Sequence, residues 1–376
     1  MSAPPGTRPL SELDDVDWSS YRHAYGPADD VPRMIRTLAA TVDAEAGLEA
    51  EHELWCAVLH QGQVGPVAVE ALPFVLGILA GCSAPGQVLL ANWLTDLSRV
   101  FDRDDDVDQQ CRMAVEKAID AVLDLLASAE PSVRSTAAGV LGSLPRTAPA
   151  SWPRIRQRLM IEDESNVRSD LLVSLARLAT FSRRLTDTTA VLAQAAQPPD
   201  PLEQCAAATG AFLLDPRNYV AKSYLGSLLP TGLRNDSWWG VGTPTVIVEQ
   251  LTANKSWIND PDLFESVRST TLVLRGFAFE SVLSVLMDGL FPGGATDAPQ
   301  FAADQDQRSR ETFEMLQSVP ALFRRYPVVE PTQMVMHRLL LPSDADRIRR
   351  WLDGADRRNC VAPGVVERFA EIFGRE

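Results

Sequence analysis

Two stretches of this chain, 34 residues apart, carry matching residues in matching order. Val133, Arg134, Ala137, Leu141 and Leu144 reappear as Val167, Arg168, Leu171, Leu175 and Leu178. An acid, Glu130 or Glu164, stands four places before each arginine. A third copy, one residue out of step, runs Leu202, Ala206, Gly210, Leu213 and lacks the arginine. Repetition at this spacing, with two apolar-striped helices per copy, predicts an all-α chain. The expected architecture is an α-solenoid of antiparallel helix pairs, in which each pair buries its stripe only by stacking on its neighbours.

The rest of the chain fits the same plan. Helices are expected over Val31 to Leu38, Gly47 to His60 with Gly62 closing it, and Gly86 to Phe101. The apolar run Val64 to Leu79 contains Pro73, which must start a new turn or kink the helix. Val115, Ala118, Ile119, Val122, Leu125 and Leu126 have the 3-4 spacing of one buried face. No segment shows sustained period-2 alternation bounded by hairpin turns, so nearly all the structure should be helical. The expected organisation is a flexible leader over residues 1–17, an N-terminal solenoid half over 18–214, an irregular hinge over 215–245 and a C-terminal helical half over 246–376. The aromatic segment from Trp18 to Ala28 suits a cap on the open end of the first half.

The repeat units can be placed among known ones. Glu130-Pro131-Ser132-Val133-Arg134 with Ala137, Ala138 and Leu141, and Asp163-Glu164-Ser165-Asn166-Val167-Arg168 with Leu171 and Leu175, resemble the second helix of HEAT repeats. Tyr25-Gly26-Pro27-Ala28, His60-Gln61-Gly62 and Ala71-Leu72-Pro73-Phe74 extend the likeness to a group of bacterial HEAT-like proteins common in actinomycetes. The resemblance implies a superhelix whose faces bind other macromolecules, and it assigns no catalytic residue. Some bacterial HEAT-like proteins act on bases in DNA and others attach bilins.

Charge placement narrows the partner. Residues 1–130 hold 22 Asp and Glu against 8 Lys and Arg, a balance of -14, out of -15 for the whole chain. A polyanionic duplex would be repelled by that end, and a basic protein or peptide would be attracted. No apolar run reaches the roughly 18 residues of a membrane span, and the first residues lack the basic start and apolar core of a signal peptide. A cytoplasmic protein without a membrane partner is expected. The five cysteines are scattered without CxxC spacing and read as small buried hydrophobes, so neither a disulfide framework nor a zinc knuckle is expected. Nothing in the chain calls for a cofactor.

The candidate binding residues are Tyr25, His60, Gln61, Asp104, Asp105, Asp106, Trp238 and Trp239; no catalytic or metal-binding residue is assigned. Tyr25 with His60 and Gln61 could line a small-molecule pocket in a concave groove, the alternative to protein docking. Asp102, Asp104, Asp106 and Asp108 alternate as calcium ligands do, but an EF-hand loop begun at Asp102 would need Gly at Val107 and Glu at Met113. An acidic inter-helix loop that docks a basic partner explains them instead. Trp238-Trp239 beside Gly240 offers aromatic anchors on a loop. His52, Cys56 and His60 fall on one face of a predicted helix, but the outer two would stand about 12 Å apart along its axis, too far to share one ion. Arg134 and Arg168 are expected to form a structural ladder with the acids four places before them.

Overall fold

The computed structural model describes residues 6–217 except 24, 43, 61, 62, 101–105, 198 and 199, and beyond these only 229, 246–248, 250, 251, 263, 266 and 267. The chain divides into two compact units, residues 1–221 with 235–246 and residues 222–234 with 247–376. In the second, Leu229, Ile247, Leu251, Leu263 and Val267 are helical and buried. Most of the expected hinge over 215–245 and of the C-terminal helical half over 246–376 lies outside the described residues.

Among its described residues the first unit is all-α apart from two minimal ladders. Its helices are α1 (Val31–Ala40), α2 (Ala44–Val58), α3 (Val67–Leu79), α4 (Ala84–Val100), α5 (Asp106–Lys117), α6 (Ile119–Leu125), α7 (Pro131–Gly142), α8 (Ala148–Leu159), α9 (Ser165–Ala179), α10 (Leu185–Ala195) and α11 (Pro201–Leu214). Pro131 and Pro201 each open a helix, where a missing N–H costs nothing and the fixed φ is already helical. Pro73 lies inside α3 and does not divide it.

Each sequence copy contributes a helix to one row. α4 packs on α7, α7 on α9, and α9 on α11, while α6, α8 and α10 pack against α7, α9 and α11 respectively. The row helices are therefore covered on more than the expected stripe: every residue of α7 from Val133 to Gly142 is buried. Small side chains make that possible, and their hydroxyls are satisfied locally. Thr136 donates to the Ser132 carbonyl, Ser169 to that of Ser165 and Thr209 to that of Cys205, so these groups lose water without losing a partner. On the other side Trp152 of α8 donates through Nε1 to Thr188 Oγ1 of α10 at 3.0 Å, tying consecutive copies together.

Two expectations fail near the N-terminus. The leader is not loose from residue 6 onward: a 3-10 turn over Leu10–Asp15 buries Leu13 completely. Trp18 follows it into the core, donating to the Leu13 carbonyl at 2.8 Å and packing its ring 6.0 Å from Phe74 of α3. The Arg8 N–H donates to the Pro73 carbonyl at 2.8 Å, and the Arg8 guanidinium lies over the Phe74 ring at 4.4 Å and on Glu70 at 2.5 Å. Gly77 allows this approach, since a Cβ there would overlap the Arg8 carbonyl oxygen.

The second failure concerns the end of α2. The helix stops at Val58 instead of running to His60, and Leu59–His60 (β3) pairs antiparallel with Gln63–Val64 (β4); Gly62, expected to close the helix, lies outside the described residues. A matching pair is formed by Arg22–His23 (β1) and Gly26–Pro27 (β2). Neither is visible as periodicity, because each strand has only two residues.

Candidate functional site

The frame of the molecule is a polar ladder buried between the copies. Arg134 holds Glu162 with both arms of its guanidinium, Nε to Oε2 and Nη2 to Oε1, each at 2.8 Å. Arg158 reaches the same carboxylate at 2.9 Å, and the Asp163 and Glu164 N–H groups donate to its Oε1. One copy further on, Arg168 pairs with Glu203 at 2.7 Å. The partners are thus not Glu130 and Glu164, which stand at the N-caps with exposed side chains. A buried guanidinium needs a planar, two-point acceptor, and an exposed acid four places back on the helix surface does not supply one. What the two copies do share is a hydrogen bond from Nη1 to the carbonyl six residues back, Ser128 for Arg134 and Glu162 for Arg168.

Burial works against the Glu162 charge, but its two arginines and the backbone donors outweigh it and hold the carboxyl at about 2. Burial likewise opposes the charge of Asp200, which the Ser165 hydroxyl and backbone N–H groups still keep below the ordinary aspartate range. Asp200 is the N-cap of α11, accepting from the Leu202 and Glu203 N–H groups at 2.7 and 3.2 Å and from Ser165 Oγ at 2.5 Å. Ser135 donates to Asp170 across the same 35-residue step. Asp200→Ala should therefore lower the unfolding free energy by about 1–2 kcal/mol, the upper part of the range for a lost N-cap. Urea unfolding measures this, and an unchanged midpoint would show that the cap is dispensable.

The surface presented by this frame is where the predicted binding residues divide. Tyr25 is 68% exposed, at the turn between β1 and β2. Gly26 adopts a φ of +149°, which favours glycine, and the buried His23 ring is fixed from both sides. His23 Nδ1 accepts from the Tyr25 N–H at 3.1 Å, so the ring proton sits on Nε2 and is donated to Asp30 at 2.9 Å. Tyr25 and, four residues on, Asp29 are both exposed, and an aromatic ring and a carboxylate are the groups that a guanidinium or ammonium ion is drawn to.

Asp106 is exposed in the first turn of α5, where its charge complements the helix dipole. Asp108, expected in the acidic loop, is instead in that helix and only 1% exposed, which removes it from any solvated run of ligands. His60 stands on β3, off the helix that carries His52 and Cys56. Gln61, Asp104, Asp105, Trp238 and Trp239 lie outside the described residues. Cys56 is only half-buried, whereas Cys82, Cys111 and Cys205 are buried as expected. Among the described residues, no group of three or more His, Cys, Asp or Glu side chains is arranged to hold a metal ion, and no helix is long and apolar enough to cross a membrane.

Sequence reasoning missed Arg8, Glu162 and Glu203. The one available signal was that Glu203 takes the place of Arg168 when the third copy is aligned, a charge reversal at a matched position. Compared with protein-family models and with curated proteins, the chain finds no match.

Proposed function

We propose that this chain is a non-catalytic, HEAT-like α-solenoid that docks a basic protein or peptide through its acidic first third. Its closest functional type is an immunity or antitoxin-like protein, whose surface blocks a cationic toxin. The observation that carries this reading is the contrast between committed and uncommitted charge. Arg134, Arg158 and Arg168 are consumed inside the ladder. Asp15, Asp29, Asp106, Asp120 and Asp124 are exposed and form no ion pair with a basic side chain among the described residues. Opposite charge speeds encounter and selects partners, and an aromatic such as Tyr25 supplies the anchor. Cysteines scattered without CxxC spacing fit a reducing, cytoplasmic setting.

Pull-down from lysate across a salt series tests the proposal. Capture of a basic protein should fall as salt rises, and Asp120→Lys with Asp124→Lys should slow its association. Capture that ignores salt, or that enriches no basic protein, would refute an electrostatic dock.

A further inference from the structure

The outer face of α2 carries a pair of donors that the docking surface does not use. His52 Nε2 lies 3.5 Å from Cys56 Sγ, the two residues being one helical turn apart. His52 is exposed and Cys56 half-buried, so both atoms can be reached from solvent. We propose that His52 and Cys56 form a two-point chelate for a divalent cation of the zinc class.

The geometry is already that of a coordination edge. A tetrahedral zinc ion with sulfur at about 2.3 Å and imidazole nitrogen at about 2.0–2.1 Å sets those two ligand atoms roughly 3.6 Å apart. The pair therefore needs little movement to accept the ion, and water fills the remaining positions. Thiolate and imidazole together favour zinc or cobalt over magnesium or calcium, which prefer oxygen. On binding, the Cys56 S–H bond breaks, its proton passes to solvent and a sulfur–metal bond forms, with no change of oxidation state. Glu53, beside His52, is held by Arg33 at 2.8 Å and does not complete a third ligand. The exposed Glu49, one turn before His52, adds negative charge that draws a cation to the face.

The other described thiols do not compete. Cys82, Cys111 and Cys205 are buried, and burial pushes the Cys82 thiol up to about 11. Cobalt(II) titration of the full chain, read by the sulfur-to-cobalt charge-transfer band, is the test. The band should appear in the unmodified protein, vanish in Cys56→Ser, weaken in His52→Ala and be displaced by zinc. Zinc should also raise the melting temperature of the unmodified chain and not that of His52→Ala. Metal-free melting curves of both variants should match the unmodified chain, with His52→Gln and Cys56→Ala as second versions. A band that survives Cys56→Ser, is indifferent to the loss of His52, or never forms overturns the chelate.

Discussion

Glu162→Gln is expected to lower the unfolding free energy by about 3–5 kcal/mol, the cost of stranding a buried charge by removing its partner. The Glu162 side chain is 1% exposed and that of Arg134 7%, so neither can recover water when the other is neutralised. Glutamine keeps the volume, so the loss reports charge and hydrogen bonding rather than a cavity. Urea unfolding measures it, and a loss under about 1 kcal/mol would mean that the pair behaves like an exposed one. The same carboxylate sets an acid limb. Its folded value of about 2 lies below the ordinary 4.5, so its contribution is complete above 4.5 and drains away as the pH falls towards 2. That depression corresponds to roughly 3 kcal/mol. Unfolding free energy measured from pH 5 downwards should therefore fall more steeply in the unmodified protein than in Glu162→Gln, and parallel curves would refute the assignment.

Gly77→Ala should detach the N-terminal segment from α3. The added methyl would occupy the place of the Arg8 carbonyl oxygen, a backbone atom that cannot swing aside as a side chain would. If the segment yields without leaving, the overpacking costs about 1–3 kcal/mol. If it lifts, Leu13 and Trp18 leave the core as well, at about 1.5–3 kcal/mol for each large apolar side chain returned to water. Thermal melting and limited proteolysis by a non-specific protease separate the two, because only a lifted segment is cut within residues 6–22. A variant that melts like the parent and resists cleavage there would show that the segment is not held by this contact.

The parts of the fold legible in the sequence are those with a period. The row helices α7, α9 and α11 follow from apolar positions repeated every three or four residues, and their stacking follows from a stripe that one copy cannot bury alone. The ladder partners were not legible, because the helix rule for neighbours four apart looks along one helix, whereas Arg134 and Arg168 reach into the next copy. The hairpin at Leu59–Val64 was hidden because it interrupts the chain for only a few residues, and Gly62 reads equally well as a helix terminator. The packed leader rests on isolated anchors, Leu13 and Trp18, which leave no pattern. Of the candidate site, Tyr25 and Asp106 stand exposed, Asp106 in α5 and not in the acidic loop where it was expected, while Cys56 departs from the buried role that its residue type suggested.

The ladder has a direction. A copy that carries an arginine reaches forward, and a copy that carries an acid receives; α11, with Glu203 where its predecessor has Arg168, receives, and among the described residues no further arginine continues the series. Among the described residues the series of cross-links thus ends at a single change of charge. Lengthening the row by one more copy would require a cation at position 203, and with it a different answer to Arg168.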